Sequence, residues 1–400
     1  MRYRLDIAIS VFLLLTGCST ATADGAGVST KTPIGITVSF SKEARKEAVT
    51  GRVLLLISKN KTKDARKIDW FDMQPVYGIR VTNLAAGKTV TFSVKQFDDP
   101  SALAFPGPLR QLTGTFYAQA VVDVDDSGGF FDHAPGNLYS DTVRVELKGG
   151  LAKSCALIAD KVIAPEITPP DSEGLKFVEV KSEMLSRFHG REVTLRAAVI
   201  VPAGYDPKSD RRYPVVYLIP GFGGRHFSAA HFVAGADGQK LRRGDWPYKA
   251  LTVYLDPEVP LGHSVFANSA KNGPVGDALV RELIPEIEQR FHGVAKPEGR
   301  VVSGHSSGGW SSLWLQVAYP EFFGGCWSTS PDPVDFRDFQ TVNLYEDRNG
   351  HWSRDGQPRG LARDQHQLRI KFATFNHWEY VTGLGSQLDS FNGLFSRIRG

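Results

Sequence analysis

The pattern that most constrains the fold of this 400-residue chain is Gly-x-Ser-x-Gly at residues 304–308. The apolar run at 300–303 predicts a strand before it, and residues 310–319 predict a helix after it. A Cβ at either glycine would clash as strand and helix close on each other. The turn lifts the Ser306 hydroxyl above the sheet and leaves the backbone N–H of Ser307 at a helix N-terminus, where negative charge is favoured. The alternative is a buried glycine turn whose serine has no function.

The sequence around this turn predicts a parallel sheet with helical crossovers from about residue 175 onward. The other predicted strands are 177–180, 193–201, 213–219 and 251–255. The run 213–219 is almost wholly apolar, as in a central parallel strand, and leads into the glycine-rich loop 221–224. Residues 275–291 predict a helix that Pro285 kinks. Strands that alternate with helices in this way are typical of an α/β fold.

Three stretches, in the right order and spacing, resemble the "Putative esterase" family of α/β-hydrolases. That family includes feruloyl esterases, S-formylglutathione hydrolase and the mycolyltransferases. The matching stretches are 217–224 (YLIPGFGG), 268–291 and 299–331. The resemblance covers about residues 176–330 and does not extend to the N-terminal part of the chain. It implies an α/β-hydrolase fold for the region that we assign to residues 175–400.

The resemblance also implies a role for each matching residue. Ser306 is then the nucleophile, and the backbone N–H groups of Ser307 and Phe222 form the oxyanion hole. The residues themselves agree with this, because the loop 221–224 exposes its backbone at the carboxyl end of a central strand, where ligands bind in open α/β sheets. Neither a metal nor an organic cofactor is implied.

The catalytic acid and histidine have two interpretations, because in this family they follow two further strands after the nucleophile. In the first, the hydrolase fold is incomplete at the C-terminus, residues 331–400 resemble an insertion, and the acid and histidine are absent. In the second, the domain is compressed and His377, just past a predicted strand at 368–374, is the general base. Asp335 or Asp347 is then the acid that orients it.

Residues 33–150 show an all-β pattern of short alternating runs, which predicts half-buried strands in a β-sandwich-like domain. Residues 151–174, rich in proline toward their end, predict an interdomain linker. The acidic stretch 123–128 is better explained as a solvated hairpin turn than as a calcium loop, because no glutamate closes a twelve-residue loop. We expect Cys155 and Cys326 to be free thiols.

The N-terminus predicts export. An apolar run at 7–15, too short to span a bilayer, follows two arginines and ends in Leu-Thr-Gly-Cys, which resembles a bacterial lipobox. We therefore expect a lipoprotein signal peptide at 1–17, a lipid on Cys18 and a polar tether at 18–32. The alternative is an ordinary signal peptide with an incidental cysteine. A lipidated chain is anchored to one membrane leaflet of the bacterial envelope and does not span it.

Composition and motifs together give the functional expectation. The net charge of +4 is small and spread along the chain, which gives no indication of nucleic-acid binding. We expect a serine hydrolase that acts on small-molecule or polymer-linked carboxylic esters through an acyl-enzyme at Ser306. The alternative is a non-catalytic surface protein in which a hydrolase-like domain and a β-sandwich bind glycans or a partner.

Overall fold

A computed structural model describes residues 35–395, apart from 62–63, 68–70, 72, 125–128, 246–247, 366 and 384. The predicted signal peptide, the tether and Cys18 lie outside the described residues. The described residues belong to one compact unit that begins at Ile34. Among them, no helix combines the length and the apolar character that crossing a membrane requires.

Two β-sheets pack face to face in the N-terminal part. Their strands are β1 (Ile36–Phe40), β2 (Val49–Ser58), β3 (Val76–Leu84), β4 (Val90–Phe92), β5 (Leu103–Phe105), β6 (Gly114–Asp123), β7 (Leu138–Tyr139), β8 (Val143–Leu147), β9 (Cys155–Ala159) and β10 (Lys161–Val162). The smaller sheet has the order β4-β1-β9, and the larger has the order β10-β7-β6-β2-β3-β5, with β8 also paired to β6. Inward side chains of both sheets, such as Val38 of β1 and Val53 of β2, share one core. This arrangement confirms the predicted β-sandwich.

The segment predicted as a linker begins with two strands of this sandwich. Strand β9 pairs in parallel with β1, with Cys155 opposite Ile36, and β10 pairs with β7. Leu157 and Ala159 face the core, while Ile158 between them is exposed. Residues 163–174 carry no helix or strand. The connection without helix or strand, residues 163–174, is therefore shorter than the predicted linker at 151–174. The reason is that the prolines begin only after β10.

The remaining elements build the C-terminal region. They are β11 (Leu175–Lys181), α1 (Glu183–His189), β12 (Thr194–Ile200), β13 (Val215–Ile219), α2 (Ser228–Ala234), α3 (Ala236–Arg243), β14 (Leu251–Leu255), β15 (Glu258–Val259), β16 (Gly262–His263), α4 (Val275–Ala278), α5 (Ile284–Arg290), β17 (Arg300–Ser306), α6 (Ser307–Ala318), β18 (Gly325–Pro331), β19 (Gly360–Asp364), β20 (Gln367–Lys371), α7 (Phe372–Thr382) and α8 (Gln387–Phe395). Short 3₁₀ turns lie at Gln96–Asp98, Leu109–Gln111, Pro297–Gly299 and Phe336–Asp338.

A six-stranded mixed sheet forms the centre of this region, with the order β11-β12-β14-β13-β17-β18. Strands β11 and β12 run antiparallel to their neighbours, while β14, β13, β17 and β18 are mutually parallel. Apolar side chains of the sheet, such as Val253 and Val302, pack against Leu283 and Ile287 at the α4–α5 side. This strand order confirms the α/β-hydrolase-like fold.

The helix with the predicted kink at Pro285 contains a π-helical segment just before the proline. Helices α4 and α5 are joined through Leu279–Leu283, which is π-helical, and Pro285 then lies in the first turn of α5. The backbone stays helical from α4 through this segment into α5, so Pro285 interrupts the hydrogen-bond ladder of a continuous helix. A π-helical turn is one of the irregularities found where such a ladder is interrupted.

The C-terminal helices contact both parts of the molecule. Trp378 and Val381 of α7 pack on Leu54 and Leu56, on the outer face of the larger N-terminal sheet. Strand β2 is therefore buried on both faces rather than half-buried as predicted. Helix α8 instead packs near Trp310, at the start of α6.

The predicted strand at 368–374 is wrong beyond Lys371, where β20 ends and α7 begins. The buried positions Phe372, Phe375 and Trp378 recur every three residues, which is the spacing of a helix face. Both predicted free cysteines are free, with Cys155 buried and Cys326 half-buried on the edge strand β18. Burial raises the pKa of the Cys155 thiol.

Candidate active site

The turn between β17 and α6 holds Ser306 in a strained conformation. Ser306 has φ of 58° and ψ of −124°, a combination that serine rarely adopts. A Cβ on Gly304 would lie 2.1 Å from the carbonyl oxygen of Gly308, and a Cβ on Gly308 would lie 2.0 Å from that of Ile219. The strand, the helix and the neighbouring strand β13 therefore approach so closely that both positions require glycine.

The hydroxyl of Ser306 is half-buried and faces a carboxylate. Ser306 Oγ donates to Asp332 Oδ1 at 3.2 Å, and Ser307 Oγ donates to Asp332 Oδ2 at 2.5 Å. The backbone N–H of Asp332 in turn donates to the Ser306 carbonyl oxygen at 3.2 Å. Asp332 is only 9% exposed, and its charge lies beside the N-terminus of α6, where the helix dipole favours an anion.

Sequence reasoning did not single out Asp332. It directly follows β18, the strand adjacent to β17, so its side chain emerges at the same sheet edge as Ser306. The signal that could have identified it is the rule that functional groups gather at the carboxyl ends of parallel strands.

The predicted oxyanion loop lies next to the serine. A Cβ on Gly221 would be 3.8 Å from Ser306 Oγ. The loop closes as a tight turn in which Gly224 N–H donates to the Gly221 carbonyl at 2.9 Å, and Gly223 takes a φ of +77° that favours glycine. Phe222 occupies the corner of this turn. Ser307, the first residue of α6, lies where backbone N–H groups have no partner within the helix. The geometry is compatible with the predicted oxyanion hole, in which the backbone N–H groups of Phe222 and Ser307 are the donors, and this role stays a prediction.

His263 supports the predicted oxyanion loop through both of its ring nitrogens. Its Nε2 donates to the Pro220 carbonyl at 2.9 Å, and its Nδ1 accepts from the Val265 N–H at 3.0 Å. Burial lowers the pKa of His263 to about 4, so the ring is neutral at neutral pH. With both nitrogens occupied, the ring fixes the backbone immediately before Gly221.

His226 and Asp256 form a buried pair. His226 Nδ1 donates to Asp256 Oδ2 at 2.7 Å, and Arg225 Nε donates to Asp256 Oδ1 at 2.8 Å. Burial by itself would raise the pKa of Asp256, but the hydrogen bonds from His226 and Arg225 outweigh it and hold that pKa below its ordinary value. The loops after β13 and β14 are joined by this cluster.

His377, the predicted general base, lies on α7 against the N-terminal sheet. Its ring packs edge-on against Phe105 with centroids 5.6 Å apart, and burial lowers its pKa. The predicted acids lie elsewhere: Asp347 pairs with Arg359 at 2.6 Å, and Asp335 accepts from the Arg337 N–H. Among the described residues, the hydrogen-bond partner of Ser306 Oγ is Asp332 and not an imidazole. The structure therefore does not join the predicted acid, base and nucleophile by hydrogen bonds.

Comparison with known proteins gives a match to one family over part of the chain. Residues 263–373 match the family described as "Putative esterase". The matched segment runs from β16 to the start of α7 and contains both Ser306 and Asp332. A comparison with curated proteins gives no match.

Several solved structures resemble part of the chain. A ferulic acid esterase from Anaeromyces mucronatus in complex with ferulic acid is 21% identical, covers 42% of this chain and 64% of its own, and has a TM-score of 0.31. An S-formylglutathione hydrolase from Agrobacterium tumefaciens is 16% identical, covers 44% and 67%, and has a TM-score of 0.32. A fluorophosphonate-binding serine hydrolase from Staphylococcus aureus is 12% identical, covers 53% and 75%, and has a TM-score of 0.32.

The chain spans less than two thirds of the first solved relatives, 60% of one ferulic acid esterase and 64% of another. The fold assignment therefore depends on the strand order given above and not on these overlaps.

Proposed function

We propose that this protein is a serine hydrolase that cleaves carboxylic esters through an acyl-enzyme at Ser306. The observation that carries the proposal is the strained Ser306 at a strand-to-helix turn, inside the segment that matches the esterase family. Such a turn exposes a hydroxyl at the edge of a parallel sheet, where substrate can reach it.

In the proposed reaction the Ser306 oxygen attacks the ester carbonyl carbon. Negative charge then develops on the carbonyl oxygen, which the N–H groups of Ser307 and Phe222 stabilise. Loss of one such donor costs about 3 kcal/mol of transition-state stabilisation. Collapse of the intermediate releases the alcohol, and water then releases the acid.

The proton of Ser306 needs an acceptor. A serine triad places an imidazole between the serine hydroxyl and the carboxylate. In the part of the chain that the structure describes, the Ser306 hydroxyl instead donates a hydrogen bond directly to the carboxylate of Asp332. We expect the rate of this chain alone to be low, since loss of one triad member typically lowers turnover by roughly 10⁴–10⁶-fold.

The proposed substrate is an ester with a compact or aromatic acyl group. A cavity of about 220 Å³ borders the turn that holds Phe222 and Gly223, and Phe227 and Val259 also line it. One solved relative contains ferulic acid, an aromatic acid, which supports this choice of acyl group.

Ser306-dependent hydrolysis tests the proposal. We expect p-nitrophenyl acetate and methyl ferulate to be cleaved above background. Added imidazole should raise the rate, because it supplies an imidazole acceptor that the described residues do not place at Ser306 Oγ. Ser306→Ala should remove this increment. Ser303→Ala, a change of the same size three residues earlier on β17, should not. Equal rates for wild type and Ser306→Ala, with and without imidazole, would contradict the proposal.

A second candidate is a non-catalytic binding protein built on the same fold. The direct hydrogen bond from Ser306 to Asp332 favours it, because that carboxylate accepts the hydroxyl hydrogen bond that an imidazole accepts in an active triad. Absence of Ser306-dependent hydrolysis in the assay above is the result that this candidate expects.

We further propose that the chain is exported and anchored to the bacterial envelope through a lipid on Cys18. The support is the lipobox-like sequence at 15–18. Metabolic labelling with an alkyne fatty acid should mark the wild type and a Cys155→Ser control, and should fail to mark Cys18→Ser. Equal labelling of all three would contradict the anchor.

A further inference from the structure

Helix α8 contacts the α/β region at strand β16, which leads to the predicted oxyanion turn at 221–224. The backbone N–H of His263 on β16 donates to Ser390 Oγ on α8 at 3.0 Å. A Cβ on Gly262 would clash with the same hydroxyl oxygen and would lie 3.1 Å from the Ser386 carbonyl oxygen. His263 is 3% exposed and Ser390 is 2% exposed. The strand and the helix are therefore joined at close range by a buried hydrogen bond.

The hydroxyl of Ser390 is itself held by its own helix. Ser390 Oγ donates to the Ser386 carbonyl oxygen one turn earlier, at 3.0 Å. A serine hydroxyl has one proton to donate and lone pairs that accept, so the proton goes to Ser386 and a lone pair receives the His263 N–H. Ser386 is fully buried, and its hydroxyl donates to Asp389 at 3.1 Å. Ser390 therefore holds His263 from a fixed position on α8.

The bonds of the His263 ring determine which nitrogen carries the proton. A backbone N–H only donates, so Nδ1, which accepts from the Val265 N–H at 3.0 Å, is unprotonated. The ring proton is therefore on Nε2, which donates to the Pro220 carbonyl oxygen at 2.9 Å. Burial lowers the pKa of His263 to about 4 and so keeps the ring in this neutral form. His263 is thus a donor of fixed direction toward the peptide that joins Pro220 to Gly221.

Two fixed peptides set the direction of the Phe222 N–H. Both are trans, so in each the C=O and the following N–H point in opposite directions. The Pro220 carbonyl points to His263, so the Gly221 N–H points away from it. The Gly221 carbonyl accepts from the Gly224 N–H at 2.9 Å, so the Phe222 N–H points out of the turn. A rotation of the first peptide would displace the second, because both are attached to the Gly221 Cα.

These peptides lie against the nucleophile. A Cβ on Gly221 would lie 3.3 Å from Ser306 Cβ. A Cβ on Gly308 would lie 2.7 Å from the Pro220 carbonyl oxygen that His263 holds. A small displacement of the turn therefore changes the position of the Phe222 N–H relative to Ser306. A misplacement of about 1 Å in such a site lowers the rate by roughly 100-fold.

We propose that His263 and Ser390 are positioning residues for the reaction at Ser306: α8 holds His263 through Ser390, and His263 holds the peptide that directs the Phe222 N–H toward the reacting carbonyl oxygen. The inference rests on the proposed function, because a donor has to be aimed only where negative charge develops. Ser390 lies outside residues 263–373, so the match to the esterase family does not give it this role.

The rate of labelling by a fluorophosphonate in the presence of imidazole tests the proposal. The Ser306 oxygen bonds to phosphorus, fluoride leaves, imidazole takes the hydroxyl proton, and negative charge develops on the phosphoryl oxygen as it does on an ester carbonyl. His263→Leu removes the donor to Pro220, and Ser390→Ala removes the acceptor of the His263 N–H. We expect the labelling rate at saturating probe to fall about 100-fold in the first variant and about tenfold in the second. The half-saturating probe concentration should stay within about twofold of wild type.

Two further variants separate positioning from general loss of structure. His263→Gln keeps an amide N–H that can donate to Pro220, and we expect it to label about tenfold faster than His263→Leu. Thr382→Val removes a different buried helix hydroxyl, 1% exposed and bonded to the Trp378 carbonyl of α7, at nearly constant volume. It should label like the wild type. Ser390→Ala removes a single oxygen atom, so it keeps the test available if His263→Leu fails to fold.

The amide resonance of Phe222 distinguishes failure of this proposal from failure of the proposed function. In the full chain labelled with ¹⁵N-phenylalanine, and assigned by its absence in Phe222→Leu, this resonance should shift in Ser390→Ala and stay in place in Thr382→Val. A wild type that forms no Ser306 adduct contradicts the proposed function, and the resonance still decides whether α8 positions the turn. An unshifted Phe222 amide overturns the proposal. Labelling of His263→Leu and Ser390→Ala at the wild-type rate also overturns it, as does a change confined to the half-saturating concentration.

Discussion

A carboxyl group buried between α7 and α8 makes the stability of this protein depend on pH. Glu379 is 4% exposed, and both of its carboxyl oxygens lie 3.2 Å from the Leu388 N–H at the start of α8. Burial raises the pKa of Glu379 to about 8, from an ordinary value of 4.5. The nearby Asp389 contributes in the same direction, and burial raises its pKa too.

The sign and size of the effect follow from proton linkage. Between pH 4.5 and about 8 the folded state keeps the proton on Glu379 that the unfolded state has lost. The stabilisation is therefore complete below the unfolded pKa and is lost as the pH rises through the folded pKa. A shift of 8 − 4.5 = 3.5 units corresponds to about 5 kcal/mol, at 1.36 kcal/mol per unit.

Glu379→Gln keeps the shape of the protonated side chain and removes its charge. We expect the variant to match the wild type at pH 4.5 and to exceed its free energy of unfolding by up to about 5 kcal/mol at pH 9. Urea denaturation followed by circular dichroism across this range measures the difference, with the exposed Glu321→Gln as control. A difference between Glu379→Gln and wild type that does not grow with pH would refute the reasoning.

Three further substitutions test the packing described above. Gly308→Ala should abolish Ser306-dependent hydrolysis, because its Cβ would lie 2.0 Å from the Ile219 carbonyl; unchanged turnover would contradict the turn geometry. Trp378→Ala should cost about 3–5 kcal/mol of unfolding free energy, since the side chain is fully buried on the N-terminal sheet; a urea midpoint like that of wild type would argue against this packing. Glu288→Ala should cost about 3–5 kcal/mol in the same assay, because it leaves Arg300 buried without the carboxylate 2.7 Å away; near-neutral stability would show that the pair is not buried.

Local patterns predicted the part of the fold that positions Ser306. The glycines at 304 and 308 are required by backbone contacts within a few ångströms, so their spacing carries the information directly. The alternation of strands and helices from residue 175 likewise reflects short-range periodicity, and it predicted a parallel sheet. Four strands are parallel as predicted, whereas the pairings of β11 with β12 and of β12 with β14 are antiparallel.

Long-range contacts account for what the sequence could not predict. Strand β2 is buried on both faces because Trp378, more than 300 residues later, covers its outer side. The pairing of His226 with Asp256, and of Ser306 with Asp332, depends on which strands become neighbours in the sheet. No pattern within one segment contains that information, so residues that look solvated alone can become a buried cluster.

Identification of the residue that reacts with a fluorophosphonate probe tests the central claim most directly. Peptide mass spectrometry of the treated, folded protein should place the adduct on Ser306. The adduct should form slowly without imidazole and faster when imidazole is added. Ser303 and Ser307 should stay unmodified, and Gly308→Ala should lose the adduct. An adduct on another serine, or none on Ser306 in the folded protein even with imidazole, would contradict the assignment of Ser306 as the nucleophile.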